Sequence, residues 1–375
     1  MRVVIAAGGT GGHLYPAIAL AREFQARDSR STILFVGTTR GIESRVVPHE
    51  GLPLRLITAK PLMGIGLWGR VKALLALPIG VWQALRILWE QRATVVIGVG
   101  GYTTPAVLVA AWLARVPRVI LEPNSYPGLA NKVLGPLADR VFLAFEATAE
   151  FFQRSKVRVV GTPIRRAFFE PDGSEQQRKG VQAVHVLIFG GSQGAKAING
   201  AMVSALVELR DLRERLIFTH QTGEAECQAV EAAYREGGFR ADVQAFFYDM
   251  PLVLRSADLV IARAGAMTIA ELTACGCPAV LIPLPQAIYN HQAKNAAVME
   301  AAGAAVVIPQ HDLSGGYLAA TIRELVSDPE RLRQMRERSV HMRRVDAAAR
   351  IVDECLTLAA GETHEANRST GVRQT

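Results

Sequence analysis

The sequence predicts an α/β protein built as two doubly wound parallel-sheet units. Three observations point there. β-branched apolar runs alternate with helix-like segments along most of the chain, as in parallel sheets covered on both faces. Two stretches, RVVIAAGGTGGHLYPA (2–17) and VHVLIFGGSQGAKAIN (184–199), repeat one plan: an apolar run, a glycine turn, then a helical pattern. Finally, 375 residues, half of them hydrophobic, suit two domains that each bury a core.

Element by element, the first half reads as strands at Arg2–Ala7, Thr32–Val36, Leu54–Ile57, Val95–Val99, Arg118–Leu121 and Arg140–Leu143. The second half reads as strands at Val184–Phe189, Arg215–Thr219, Val243–Phe246, Leu259–Ala262, Ala279–Ile282 and Ala305–Val307. Helical patterns fill most gaps. Pro171–Gly180 is polar and reads as a linker or surface loop. Pro329 is well placed to start a late helix, and GETHEANRSTGVRQT at 361–375 reads as a frayed tail.

A net charge of +8 suits an anionic partner such as a phosphorylated substrate or an acidic lipid surface. No nucleic-acid module is visible, so nucleic acid is not expected. Cys227, Cys275, Cys277 and Cys355 show neither CxxC nor metal-ligand spacing and read as reduced, buried small hydrophobes. No DxD, HExxH or paired-histidine spacing occurs, so neither metal nor cofactor is expected. No secretory signal and no uninterrupted apolar run of ~18 to 20 residues is present. The chain reads as a soluble or peripheral cytoplasmic protein.

The chemistry lies in the loops. In Gly8-Gly9-Thr10-Gly11-Gly12-His13 the backbone amides can approach an anion, and the following helix adds its positive end. A dinucleotide site needs GxGxxG and an acid after the second strand. Here the third glycine position holds Leu14, and the second strand ends in Gly37 and Thr38. GGSQGAKA also lacks the Gly-Lys-Ser/Thr of a P-loop. His13 stands at the turn-to-helix junction, where the helix end favours a neutral imidazole fit to act as a general base.

The second loop, Gly190 to Ala195, adds Ser192 and Gln193, whose polar groups suit a diphosphate or a sugar. In ADLVIARAGAMTIAEL the amides of Gly265, Ala266, Met267 and Thr268 can bind a phosphate, and Glu271 one turn on can accept two ribose hydroxyls. Gln292 and Asn295 share a helical face three residues apart and suit sugar hydroxyls. GVGGYTTPA (98–106) and LEPNSYPGLANK (121–132) follow strands at the ligand-binding end.

Taken together, GGTGGH, GGY, NKxL (Asn131 to Leu134), GTPIR, GGSQGA, RAGAMTIAEL and HQAKNA resemble the MurG family of peptidoglycan N-acetylglucosaminyltransferases, from about Arg2 to about Ala360. The resemblance implies the GT-B fold, two Rossmann-like doubly wound domains facing a central cleft. It implies inverting transfer of GlcNAc from UDP-GlcNAc to the C4 hydroxyl of the MurNAc of lipid I, giving lipid II and UDP. Another GT-B UDP-sugar enzyme, an epimerase or a glycolipid glycosyltransferase, is the alternative; a nucleotide-sugar-binding protein without turnover is a further rival.

By matching positions, the resemblance places Thr10, Gly11 and Gly12 beside the donor and the acceptor diphosphate, with His13 near the acceptor hydroxyl. Asn124 and Arg165 would contact the donor, and Ser192 its phosphate or sugar. Phe247 would lie by the uracil through its backbone. Ala266, Met267, Thr268, Ile269 and Ala270 would cradle the nucleotide, with Glu271 on the ribose and Gln292 on the GlcNAc. The catalytic base would be His13 or, second, Glu122, and helix ends with Arg165 would stabilise the departing UDP without a metal. Three departures stand out: Glu122-Pro123-Asn124 for the usual EQN, Gly161-Thr162-Pro163-Ile164-Arg165 for GNPVR, and His291-Gln292 for a Gln-Gln pair.

The same reading divides the chain into an acceptor and membrane domain (1–163), a UDP-GlcNAc domain (164–341), a helix returning to the first domain (342–360) and a disordered tail (361–375). It implies a peripheral place on the cytoplasmic face of the bacterial inner membrane, with cell-wall synthesis and division proteins as possible partners. Residues 60–92 carry Trp68, Trp82, Trp89 and five basic residues, Arg70 and Lys72 among them, against one acid. They suit an anionic membrane surface, core packing, or both on different faces.

Overall fold

The computed structural model describes residues 1–39, 41–60, 67–170, 183–191, 193–285 and 290–370, with backbone alone for 67–74 and 362–370. The chain forms two compact units, one of residues 1–164 with 346–375 and one of residues 165–345. The expected linker at 171–180, Ser192, and the side chains of Trp68, Arg70 and Lys72 lie outside the described residues.

Unit 1 begins β1 (Arg2–Ala7), α1 (Gly11–Arg27), β2 (Thr32–Gly37), α2 (Glu43–His49), β3 (Leu54–Leu56), α3 (Leu67–Gln91) and β4 (Val95–Gly100). It continues α4 (Thr104–Leu113), β5 (Arg118–Glu122), α5 (Leu129–Leu134), β6 (Arg140–Leu143) and β7 (Val157–Val159). The sheet is parallel in the order β3-β2-β1-β4-β5-β6-β7. Successive side chains of a strand point to opposite faces. Val3 and Ile5 therefore enter one core with Phe24 and Phe35, while Val4 and Ala6 enter another with Leu88 and Val107. Covering both faces is why β1 reads as an unbroken apolar run.

Unit 2 comprises β8 (Val184–Phe189), α6 (Lys196–Glu208), β9 (Leu216–Gln221), α7 (Cys227–Glu236), β10 (Arg240–Gln244), α8 (Met250–Ser256) and β11 (Leu259–Ala262). Then follow α9 (Ala266–Cys275), β12 (Ala279–Leu281), α10 (His291–Ala301), β13 (Ala305–Val307), α11 (Gly315–Val326) and α12 (Pro329–His341). This sheet is also parallel, in the order β10-β9-β8-β11-β12-β13. The last helix, α13 (Ala347–Thr370), belongs to unit 1 and packs on α1. Its Ile351, Val352 and Cys355 complete the core around Phe24 and Val3.

Three expectations need correction. β7 was not foreseen, because a three-residue edge strand carries too short a pattern. β10 lies at Arg240–Gln244, beginning three residues before the expected Val243–Phe246 and ending two residues short of it. It is an edge strand with mostly exposed side chains, so it needs no apolar run. And α13 runs on to Thr370, so the first ten residues of the expected tail are helical. Low apolar content removes a reason to pack, but Glu362, Glu365 and Ala366 are good helix formers.

Candidate functional site

In an open parallel sheet, ligands bind beyond the carboxyl ends of the strands where the strand order reverses. In unit 1 that point lies between β1 and β4, and in unit 2 between β8 and β11. The glycine loops leave the sheets at these two points.

In unit 1, the β1–β4 register shifts between Ala6 and Ala7, where the two chains begin to part. Gly9 adopts φ +92° and Thr10 stands at the N-terminus of α1 without capping it. The His13 and Leu14 amides both donate to the Thr10 carbonyl, so the Gly11 and Gly12 amides stay outside the helical ladder. The Thr10 hydroxyl lies 3.3 Å from His13 Nδ1. The His13 ring rests against Gly100, where a Cβ would fall 2.8 Å from ring atoms. Thr104 holds that strand end: its hydroxyl accepts from the Gly100 amide (3.1 Å) and donates to the Gly100 carbonyl (2.8 Å).

Glu122 corrects an expectation. It ends β5 fully buried. Its Oε1 accepts from the Asn124 amide (3.0 Å) and Asn124 Nδ2 (3.2 Å). Its Oε2 accepts from the Gly128 amide and Asn131 Nδ2, both at 2.9 Å. Burial raises its pKa, and those four hydrogen bonds oppose the rise. A carboxylate so enclosed shapes the loop from Pro123 to Gly128; it is not open to a substrate hydroxyl. Asn124 is half-buried on that loop, and its carbonyl accepts from Thr148.

In unit 2, the loop after β8 approaches the end of β9 backbone to backbone. Gly194 has φ +72°, and a Cβ there would collide with the Thr222 carbonyl. Gln221, buried at the end of β9, links the loop after β8 to the segment after β10. Its Nε2 donates to the Gly191 carbonyl and its Oε1 accepts from the Phe247 amide, each at 2.9 Å. Phe247 itself is buried. Next to Gln221, His220 pairs with Tyr234 and Asn199, both at 3.1 Å, and burial holds its pKa down at about 3. It is a neutral structural group.

β11 delivers the third loop. Arg263 is buried and donates to the Ile282 carbonyl (3.1 Å) and to Gln310 Oε1 (2.7 Å), with its pKa lowered by desolvation. It joins the ends of β11 and β12. Gly265 precedes α9 without a side-chain cap. The Ile269 amide closes on the Gly265 carbonyl and its side chain is in the core. The open amides are therefore those of Ala266, Met267 and Thr268, with Ala270 half-buried beyond them.

Glu271 is half-buried on α9, and burial pushes its carboxyl up to about 7 against the opposing charge of Arg165. Asn295 Nδ2 donates to the Ala264 carbonyl (3.1 Å), and Gln292 Oε1 accepts from the Leu284 amide (3.0 Å). Together these bonds set α10 against the loop.

Of the residues named from the sequence, Thr10, Gly11, Gly12, His13 and Asn124 belong to unit 1, and Arg165, Phe247, Ala266 to Ala270, Glu271 and Gln292 belong to unit 2. The sequence reading missed Glu43, Gln221 and Arg263, which hold these loops from beneath. Their only signal is a polar residue at a strand or helix end beside a glycine turn. Among the described residues, no three His, Cys, Asp or Glu side chains converge as a metal site requires.

Comparison with known proteins shows what the chain is similar to. The glycosyltransferase family 28 N-terminal domain matches residues 3–143, and the family's C-terminal domain matches 185–351. The UDP-N-acetylglucosamine--N-acetylmuramyl-(pentapeptide) pyrophosphoryl-undecaprenol N-acetylglucosamine transferase of Myxococcus xanthus is 47% identical over 96% of this chain and 93% of its own. The enzyme of the same name from Geobacter sulfurreducens is 46% identical over 94% and 98%. Among solved structures, MurG of Acinetobacter baumannii aligns with a TM-score of 0.79 at 28% identity, covering 95% of this chain and 99% of its own. The UDP-GlcNAc 2-epimerase of Neisseria meningitidis shares the fold, with a TM-score of 0.63 at 14% identity over 95% and 100%.

Proposed function

The chain belongs to glycosyltransferase family 28, among its pyrophosphoryl-undecaprenol N-acetylglucosamine transferases, and from that premise we propose how its loops carry out the transfer. It is a UDP-GlcNAc-dependent hexosyltransferase that moves GlcNAc to the C4 hydroxyl of the MurNAc of lipid I, giving lipid II and UDP for peptidoglycan. The observation that carries this is the match at 47% identity along nearly the whole of both chains.

In the proposed chemistry, the acceptor C4 oxygen attacks C1 of GlcNAc as the bond from C1 to the UDP oxygen breaks, with inversion to a β-1,4 link. His13 takes the hydroxyl proton. If Nδ1–H is donated to the Thr10 hydroxyl, the lone pair lies on Nε2, the atom we assign to the proton. The open amides of α1 suit the acceptor diphosphate, with Thr10 at the donor side and Asn124 as a further donor contact. Those of α9 suit the donor diphosphate, on which negative charge grows as it leaves. Arg165 adds a cation there, Glu271 accepts from the ribose, the Phe247 backbone borders the uracil, and Gln292 reads the GlcNAc hydroxyls. Ser192 is proposed for the donor phosphate or sugar on sequence grounds alone.

Lipid I lies in a membrane, and we assign α3 to meet it. One stripe of α3, Ala76, Gly80, Ala84 and Leu88, is buried; another exposes Leu75, Ile79, Trp82 and Trp89. Large apolar side chains in an exposed row, with Arg86 among them, suit a lipid interface. Among the described residues, no helix is long and apolar enough to cross a membrane. We assign the protein a peripheral place on the cytoplasmic face of the inner membrane, resting on the exposed row of α3 and the membrane-held acceptor.

Transfer of labelled GlcNAc from UDP-GlcNAc to a lipid I analogue tests the function. Labelled lipid II is the expected product, and His13→Ala should slow its formation by roughly 10²- to 10⁴-fold, the usual contribution of a general base. Epimerised UDP-GlcNAc without transfer would overturn the assignment.

A further inference from the structure

Glu43 has no part in the chemistry above, yet it is fully buried at the start of α2. Its Oε2 accepts from the Gly9 amide (3.1 Å). Its Oε1 accepts from the Thr38 amide (3.0 Å) and the Thr38 hydroxyl (3.2 Å). Thr38 Oγ1 also lies 3.3 Å from the Tyr102 hydroxyl, whose proton it can accept. The Tyr102 ring in turn covers Gly9. One carboxylate thus joins the loops after β1, β2 and β4, the three adjacent strands at the switch point of unit 1.

Space has been cleared for it. A Cβ on Gly8, Gly37 or Gly41 would come within 2.9 Å or less of the Glu43 side chain. Burying a carboxylate is costly unless its lone pairs are satisfied, and here neutral loop donors satisfy them. The consequence falls on the glycine loop. Four glycines in five positions have large conformational freedom to lose. Turning the Gly9 amide inward onto Oε2, at φ +92°, pins the loop at one point. The Gly11 and Gly12 amides are then left to face a ligand, and His13 follows them at a set angle.

We propose that Glu43 is the positioning residue of the acceptor-binding loop of unit 1. It holds the Gly8–Gly12 loop in its anion-binding form and thereby places His13. This rests on the acceptor role given to unit 1.

The test compares Glu43→Gln with wild type in the transfer assay, varying each substrate in turn. The amide keeps the shape but puts an NH2 where one of the backbone N–H groups needs an acceptor. The expected result is a rise in KM for the lipid I analogue of roughly tenfold or more, as for a lost hydrogen bond to a charged group. A fall in kcat should accompany it, with KM for UDP-GlcNAc within twofold of wild type. An unchanged acceptor KM, or an equal rise in both KM values, overturns the proposal. If Glu43→Gln does not fold, Tyr102→Phe serves instead, because it removes only the hydroxyl at the edge of the network. A raised acceptor KM there supports the proposal and an unchanged one overturns it. Failure of the wild type itself to transfer GlcNAc sinks the functional assignment and this proposal together, whereas transfer with an unaltered acceptor KM sinks Glu43 alone.

Discussion

Glu271 carries opposing demands. Burial lifts its carboxyl to about 7, while a ribose offers two hydroxyl donors that bind the ionised form best. Between pH 6 and 8 the free protein therefore changes from mostly protonated to mostly ionised. Affinity for UDP-GlcNAc should rise across that range, by up to about tenfold per pH unit below 7. UDP-GlcNAc is the right probe because neither of its phosphates titrates there, unlike the terminal phosphate of UDP. Glu271→Gln should bind more weakly and lose the pH dependence; calorimetric titration at four pH values would decide, and a flat wild-type profile would count against the ribose role. Stability shifts the other way. A carboxyl whose folded pKa is raised contributes most below its unfolded value near 4.5, and the contribution is lost as pH rises through about 7. At this scale the loops were legible, because the glycines beside Thr10 and His13, and Gly265 at the start of the helix that carries Glu271, announce themselves. Glu43 and Gln221 were not, since their meaning lies in partners from other strands.

At the scale of elements, α3 shows how far periodicity reaches. Its pattern predicts apolar stripes, but not which one faces inward. The structure decides through Gly80, where a Cβ would lie 2.5 Å from the Thr58 carbonyl, and through Gln83, whose Oε1 accepts from the Thr58 amide at 2.6 Å. These contacts turn Trp82 and Trp89 outward, to 62% and 68% exposure. Core packing therefore does not explain those two tryptophans. Ile79→Glu and Trp82→Ala should each reduce co-sedimentation with anionic vesicles several-fold while leaving the fold intact. Unchanged sedimentation of both would remove the membrane assignment from α3. β10 teaches the converse. An exposed edge strand has no apolar signature to read, so neighbouring phenylalanines misplace it.

The whole molecule is asymmetric in its chain path. Unit 2 is one continuous segment, 165–345, whereas unit 1 needs the chain to return as α13. That helix brings Ile351, Val352 and Cys355 into the unit 1 core, and its Asp353 and Glu354 pair with Arg27, Arg140 and Arg158. The ion pairs are partly exposed and screened by water, so each contributes little; burial of Ile351 and Val352 dominates, at about 1.5–3 kcal/mol apiece. A fragment of residues 165–345 should therefore melt cooperatively on its own and still bind UDP-GlcNAc. A chain stopped after Val345 should lose several degrees from the melting of unit 1. A fragment without a cooperative transition, or a truncated chain that melts like the full one, would refute this division.

By itself, the sequence determined the two parallel-sheet units, most of their strands and the glycine turns that follow β1, β8 and β11. Those signals are local: apolar runs, glycine turns and helix starts within a few residues. Tertiary structure alone decided that Glu122 is enclosed rather than open, that Glu43 and Gln221 hold the loops from beneath, and which stripe of α3 faces out. Each of these depends on donors, or on an approach of backbone, from distant strands, and no pattern within one segment specifies what another segment will bury against it.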